Sequence, residues 1–233
     1  MNLVLVPGFM ADQTLWDDLL PFLPAAVTIH FANLNTGATI GEMARAILEA
    51  APPSFIVLGF SMGGYVAREI AYQAPQRVAG IVLVATSARP DQPALAARRL
   101  NAAQRIAHLP FHGLARGAIR ASLHADRAHD AAMIERVRAM GARLGIDVFL
   151  RQSDVVRAGD VARLGTIACP ALVVGAAGDQ LRTVEESREQ ADGIPGARLA
   201  VIAHAGHMLP IEAPRELGAI LSDWLTGCAS APR

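Results

Sequence analysis

A single serine, Ser61, lies in the glycine-rich stretch LGFSMGGYVA at residues 58–67. The residues before it, FIVLG, predict a buried strand, and those after it, MGGYVAREIAYQ, predict a helix. A strand that turns sharply into a helix exposes the residue at the turn, and close packing there requires small neighbours such as Gly59 and Gly63. Free N–H groups at the helix start would stabilise an oxyanion. The pattern G-x-S-x-G also occurs by chance, but this context favours a nucleophilic serine.

A serine nucleophile needs a base, and histidine is the usual one. His204 and His207 both lie in IAHAGHMLPIEAPREL, between the last predicted strand and the last predicted helix. Loops that follow parallel strands point to the same edge of the sheet, which is also the edge of Ser61. His207 lies on the loop proper, whereas His204 is close to the strand end. We therefore predict His207 as the base.

The carboxylate that orients the base is expected at another strand end. Asp179 follows the predicted strand in CPALVVGAAGDQLRTVEE and precedes a predicted helix. Taken alone, an aspartate there is more typical of a helix cap or a turn. The chain order Ser61, Asp179, His207 favours the catalytic interpretation, because α/β hydrolases carry nucleophile, acid and base in that order.

The remaining histidines do not predict a metal site. His108 and His112 have the one-turn spacing of a ligand pair, but no third ligand lies near them. His30 is expected at a strand end or in the core, and His124 and His129 in solvated helices. We expect no metal and no cofactor.

Composition excludes several classes of function. The 233-residue chain is 52% hydrophobic and carries 21 basic and 21 acidic residues. A net charge near zero gives no basic surface for nucleic acid or membrane, so a small neutral or apolar ligand fits better. Every basic residue is arginine, which excludes a lysine Schiff base and a P-loop lysine. The two cysteines predict no disulfide framework. The apolar run in MNLVLVPGF is too short for a signal peptide, so we expect a cytoplasmic protein. We expect either a monomer or a homodimer.

Apolar runs alternate with amphipathic stretches, a pattern typical of βα units around a parallel sheet. Strands are predicted at residues 3–6, 27–31, 55–59, 81–85, 171–175 and 199–202. Helices are predicted at residues 15–22, 40–50, 62–73, 184–191 and 214–225, and the final GCASAPR is expected to fray. This order predicts an α/β fold, with a mostly parallel sheet of about six strands flanked by helices.

Residues 89–163 contain helical patterns and no credible strand. Long insertions in compact domains are usually functional, so this segment is predicted to form a helical cap over the sheet's carboxyl edge. The α/β core then comprises residues 1–88 and 164–233. Possible pocket walls within the cap are Leu109, Phe111, Leu114, Phe149 and Leu150, and possible anion contacts are Arg116 and Arg120. For each of these residues, packing within the cap or solvation is the preferred explanation.

Four motifs together resemble the α/β-hydrolase superfamily over nearly the whole chain: VPGF, GFSMGG, GAAGDQ and HAGHMLPIEAP. The sequence is also similar to small bacterial carboxylesterases of the pimeloyl-carrier-protein methyl esterase and enol-lactonase type. The resemblance implies an oxyanion hole formed by the backbone N–H groups of Phe9 and Met62. Pro7 departs from the pattern, because many relatives carry there a histidine that braces the loop, and Phe9 is preferred to Met10 as the donor.

These observations predict a serine hydrolase that cleaves a carboxylic ester of a small or acyl-chain substrate through Ser61, His207 and Asp179, with an acyl-enzyme as the intermediate. A lactonase, a thioesterase or a carbon–carbon bond hydrolase would use the same three residues with another pocket. Cofactor-free perhydrolase or haloperoxidase activity remains open on this fold. A non-catalytic ligand receptor is the alternative from a different class, but such proteins often lose a triad member and none is missing here.

Overall fold

The computed structural model describes residues 1–230, and the side chains of Leu95, Ala229 and Ser230 lie outside that description. Six strands are present: β1 (Asn2–Val6), β2 (Thr28–Phe31), β3 (Phe55–Phe60), β4 (Val78–Val84), β5 (Ala171–Ala176) and β6 (Arg198–Ile202). The helices are α1 (Ile40–Ala50), α2 (Met62–Gln73), α3 (Pro93–Ile106), α4 (Arg116–Ser122), α5 (Ala131–Asp154), α6 (Val184–Gly193), α7 (Leu209–Glu212) and α8 (Pro214–Ser230).

All six strands pair in parallel, in the order β2-β1-β3-β4-β5-β6. The predicted sheet of about six strands is therefore confirmed. From β1 the chain first moves to β2 and then crosses to β3 on the other side of β1. The direction of winding thus reverses between β1 and β3, and ligands of open α/β sheets bind outside the carboxyl ends of the strands at such a reversal.

Side chains that alternate along the central strands form two apolar layers, one on each face of the sheet. Leu3 and Leu5 of β1 belong to one layer, and Val4 and Val6 belong to the other. Because both faces are covered, the strands read as continuous apolar runs. A third, smaller cluster joins Met10 to Phe149 and other residues of the segment between β4 and β5.

Two predictions about helical segments are wrong. Instead of a helix over residues 15–22, the chain forms 3₁₀ helices at Gln13–Trp16 and Leu20–Phe22. Pro21 has no N–H to donate, and its ring disfavours a continuous α-helix. At the other end, α8 extends to Ser230, so residues 227–230 are helical rather than frayed, and residues 231–233 lie outside the described part.

The segment between β4 and β5 carries α3, α4 and α5, and no strand occurs in it among the described residues. Helix α5 is interrupted at Gly145, whose φ of 82° is not helical. Two backbone bonds join the entry and exit of this segment: Asp91 N–H donates to Arg157 O and Asp160 N–H to Ala88 O, at 2.9 and 2.8 Å. The division into a core and a cap at residues 89 and 163 stays a prediction. Within residues 1–230, no helix is both long and apolar enough to cross a membrane.

A buried ion pair holds the exit of the cap segment against α2. Arg68 is fully buried, and its Nε and Nη2 donate to the two oxygens of Asp160 at 2.7 and 2.8 Å. Its other bonds go to Gln190 Oε1 and Ser87 O. The Tyr72 hydroxyl also donates to Asp160, and burial together with that carboxylate raises the pKa of the hydroxyl. Every charge in this network therefore has a partner.

We expect Asp160→Asn to lower the free energy of unfolding by about 3 kcal/mol, because removal of one partner leaves the buried Arg68 charge uncompensated. Guanidinium chloride unfolding followed by circular dichroism measures the change. The control is Asp223→Asn, which breaks the Arg198 ion pair whose side chains are 58% and 69% exposed. That exposed pair should contribute less than about 1 kcal/mol, and equal losses in the two variants would contradict the interpretation.

Candidate active site

Ser61 lies at the turn between β3 and α2, in a backbone conformation that side chains rarely adopt. Its φ and ψ are 52° and −115°. Its N–H donates to Val84 O at 2.9 Å, which continues the sheet ladder, and the Thr86 hydroxyl donates to its carbonyl at 2.7 Å. Such a conformation costs about 1–3 kcal/mol and persists only where the surroundings impose it. The turn raises the Ser61 hydroxyl above the carboxyl edge of the sheet.

Two glycines allow this turn because the backbone approaches itself closely around it. A Cβ on Gly59 would collide with the carbonyl of Gly63 and lie 2.7 Å from the Ala67 Cβ. A Cβ on Gly63 would collide with the carbonyls of Val6 and Pro7, at the end of β1. The start of α2 is therefore packed directly against the loop that follows β1.

The structure brings Ser61, His207 and Asp179 into one hydrogen-bonded chain. His207 Nε2 lies 2.8 Å from Ser61 Oγ, and His207 Nδ1 lies 2.8 Å from Asp179 Oδ2. The histidine and the aspartate are only 6% and 5% exposed. The three residues follow β3, β6 and β5, so the sheet edge predicted from the sequence is where they meet.

Asp179 is held by the backbone on the side away from the histidine. Its Oδ1 accepts the N–H groups of Leu181 and Arg182 at 2.7 and 2.9 Å, which leaves Oδ2 for His207. Asp179 therefore stabilises the turn with Oδ1 and binds His207 with Oδ2. The sequence offered these two roles as alternatives, and this side chain performs both.

The loop that carries His207 is fixed by the cap segment and by a buried carboxylate. His207 N–H donates to Ser122 O, at the end of α4, at 2.8 Å. Glu212, which is 4% exposed, accepts from Met208 N–H at 3.0 Å and from His124 N–H at 2.7 Å. His204, in contrast, is exposed, and its ring packs 6.5 Å from that of His124.

The two predicted oxyanion donors flank the serine. Phe9 follows β1, and Met62 is the first residue of α2. Neither backbone N–H has a hydrogen-bond acceptor within residues 1–230. The N–H of Met10 is already used, because it donates to Gln152 Oε1 at 2.8 Å. Of the two N–H groups considered in this loop, that of Phe9 is the one still available.

Ser61 and His207 line a cavity of about 210 Å³ between the sheet edge and the cap segment. Ser122 is its other polar side chain, and the Ser122 hydroxyl donates to Ile119 O at 2.7 Å. Among the described residues, no Asp, Glu or Arg lines the cavity, whose apolar walls include Phe9, Phe60, Met208, Leu114, Val137 and Met140. Three other depressions, of about 230, 440 and 250 Å³, are not lined by Ser61 or His207. The cavity therefore offers apolar contacts beside one reactive hydroxyl.

Of the cap residues considered as pocket walls, only Leu114 lines this cavity. Phe111 packs on Phe149, with ring centroids 5.1 Å apart, and Leu109 is 58% exposed. Arg116 pairs with Glu135 at the surface.

Val137 and Met140, which are not among the predicted wall residues, lie on one face of α5 and line the cavity. Their spacing, together with that of Met133, gives an apolar stripe of helical period in AAMIERVRAMGARL, and this stripe was the available signal.

The other reactive side chains do not form a competing site. Burial raises the pKa of the Cys169 thiol to about 11, and burial also raises the pKa of Cys228, so both are protonated at neutral pH. His30 Nε2, on the edge strand β2, lies 3.1 Å from Asn2 Oδ1 on the neighbouring strand β1. Within residues 1–230, no three His, Cys, Asp or Glu side chains are grouped so as to hold a metal ion.

Known proteins share this architecture. A pimeloyl-[acyl-carrier protein] methyl ester esterase from Aromatoleum aromaticum is 29% identical, over 97% of this chain and 98% of its own length. A thermophilic esterase from Thermogutta terrifontis is 25% identical with a TM-score of 0.84, over 98% of this chain and 90% of its own. The enol-lactonase from Burkholderia xenovorans LB400 has the same fold, with a TM-score of 0.86 at 22% identity, over 97% and 91% of the two chains.

A family model described as the alpha/beta hydrolase family matches residues 3–220, which include the six strands except the first residue of β1, and the Ser61, Asp179 and His207 positions. The resemblance that the four sequence motifs indicated is therefore confirmed. This chain is an enzyme of the alpha/beta hydrolase family.

Proposed function

We propose that the protein is a carboxylesterase that forms an acyl-enzyme on Ser61. The observation that carries the proposal is the chain of two 2.8 Å contacts from Ser61 through His207 to Asp179. Ser61 and His207 line an apolar cavity. The similar esterases from Aromatoleum aromaticum and Thermogutta terrifontis support the same class of reaction.

In the proposed mechanism, Ser61 Oγ attacks the ester carbonyl while its proton passes to His207 Nε2. Asp179 accepts a hydrogen bond from His207 Nδ1, which selects the tautomer that can receive this proton and stabilises the imidazolium. The carbonyl oxygen becomes an oxyanion that accepts hydrogen bonds from the backbone N–H groups of Phe9 and Met62. His207 then protonates the leaving alcohol, and water releases the acid from Ser61 by the same steps.

The lining and the volume of the cavity favour an ester substrate whose acyl group is short and uncharged. Within residues 1–230, its walls carry no charged side chain to pair with a carboxylate or an ammonium group, and burying an unpaired charge is unfavourable. At about 210 Å³ it is smaller than the ~300–1,000 Å³ pockets that hold drug-sized ligands. Lactones, thioesters, carbon–carbon cleavage substrates and peracid formation would use the same residues, and a substrate panel that includes them separates these alternatives.

We expect a fluorophosphonate probe to label the wild-type protein, and Ser61→Ala to abolish both labelling and turnover of p-nitrophenyl esters. His207→Ala should lower kcat by a factor of at least ~10³, because the hydroxyl then has no base. Intact-mass spectrometry and steady-state kinetics measure these effects. His204→Ala is the matched control, since His204 lies in the same loop and is exposed, and it should keep kcat within about twofold. Labelling of Ser61→Ala at the wild-type level would refute the proposal.

Met140 should limit the length of the acyl group, because it is fully buried and lines the cavity. For each enzyme, kcat/KM is measured with p-nitrophenyl esters of longer and of shorter acyl groups. In Met140→Ala the ratio of the longer-chain value to the shorter-chain value should rise by roughly tenfold, because one methylene in an apolar pocket changes kcat/KM by about that factor.

Met133→Ala is the control for this prediction. Met133 lies on the same helix and is also buried, but it does not line the cavity. Its substitution should lower stability without changing the chain-length preference. An unchanged preference in Met140→Ala, or the same change in both variants, would show that Met140 does not set the acyl length.

A further inference from the structure

The loop after β1 contains a second strained residue beside the proposed oxyanion donor. Met10 has a φ of 52°, in the left-handed region that a residue with a Cβ adopts only under constraint. Phe9 directly precedes it, so the Phe9 N–H is oriented by the conformation of this loop. Pro7, at the start of the loop, has no polar side chain that could hold it. Within the loop, Ala11 N–H donates to Gly8 O at 3.3 Å, a long bond that closes a turn around Met10. Further support for this turn comes from outside the loop.

Gln152 on α5 supplies hydrogen bonds that fit this requirement. Its Oε1 accepts the Met10 N–H at 2.8 Å, and its Nε2 donates to Leu34 O at 3.0 Å. Gln152 is only 1% exposed, so these bonds are shielded from water. The side chain thus joins the loop after β1 to the loop after β2, and Gln152 lies outside the lining of the cavity.

The same end of α5 also contacts the neighbouring residue of the loop. Phe149 precedes Gln152 by three residues, which places the two side chains on one face of the helix. The Phe149 ring packs on the Phe9 ring with centroids 5.8 Å apart. Helix α5 therefore holds Phe9 by its side chain and Met10 by its backbone.

We propose that Gln152 is a positioning residue for the oxyanion hole, and this inference rests on the proposed esterase function. By binding the Met10 N–H, Gln152 holds the strained peptide that follows Phe9 and keeps the Phe9 N–H directed at the substrate oxygen. Without this bond, Met10 can relax from its positive φ and the donor moves. Such a change weakens binding of the transition state more than binding of the substrate.

The test is Gln152→Met, which keeps the length of the side chain and removes both hydrogen bonds. We expect kcat to fall by about 10- to 100-fold with KM within about threefold, because a misplaced donor acts on the transition state. A boronic acid inhibitor, which mimics the tetrahedral intermediate, should lose affinity by the same factor as kcat/KM. Titration of active sites with the fluorophosphonate corrects each rate for the folded fraction.

The matched control is Gln190→Met. Gln190 is also a fully buried glutamine, and its Nε2 donates to Thr86 O at 2.8 Å and its Oε1 accepts from Arg68. This variant should lower the melting temperature but keep kcat within about threefold. An equal loss of kcat in both variants would mean general loosening and would overturn the proposal. A Gln152→Met enzyme with wild-type kcat, or with only a raised KM, would overturn it as well.

A measurement on the wild-type protein completes the test if Gln152→Met does not fold. Hydrogen exchange resolved to single residues should show a protected Met10 amide, because its N–H is bonded to a buried acceptor. Exchange as fast as in an unprotected loop would refute the Gln152 contact. Failure of the esterase proposal is recognised separately, since the wild-type protein would then hydrolyse no ester.

Discussion

The close approach of α2 to the end of β1 is the constraint on which the site depends. Only a glycine at position 63 lets the first turn of α2 pack against the carbonyls of Val6 and Pro7. That contact places the Ser61 turn beside the loop that carries Phe9. Three residues with a Cβ have a strained, positive φ: Ser61 at 52°, Met10 at 52° and Ala85 at 46°. They follow β3, β1 and β4, which are adjacent in the sheet. The paired and buried sheet offsets this strain.

The parallel sheet assembles the remaining groups because its strands all end at one edge. Asp179 follows β5 and His207 follows β6, two and three strands away from β3 in the sheet. The cap segment adds more than cavity walls, since Ser122 O accepts the His207 N–H and Gln152 accepts the Met10 N–H. The walls of the cavity and the contacts that hold the loops of Phe9 and His207 therefore come from the same helices. In the proposed mechanism, this links the choice of acyl group to the geometry of the reaction.

Local sequence patterns predicted the features that depend on short stretches of chain. The six strands, the start of α2 and the meeting of Ser61, Asp179 and His207 follow from apolar runs and from loops after strands. The helix expected at residues 15–22 was wrong because the proline at position 21 outweighs the apolar spacing. Gln152 and Glu212 could not be assigned, because their partners Met10, Leu34 and His124 lie 142, 118 and 88 residues away. Only the folded chain brings these groups together.

We propose that a tetrahedral oxyanion on Ser61 is held between the N–H groups of Phe9 and Met62 during the reaction. A crystal structure of the protein inactivated by an alkyl phosphonate tests it most directly. We predict phosphorus bonded to Ser61 Oγ, with one phosphoryl oxygen about 2.7–3.1 Å from both backbone nitrogens and the alkyl group in the cavity lined by Met140. A phosphonate attached to another residue, or a phosphoryl oxygen directed away from Phe9 and Met62, would contradict the account.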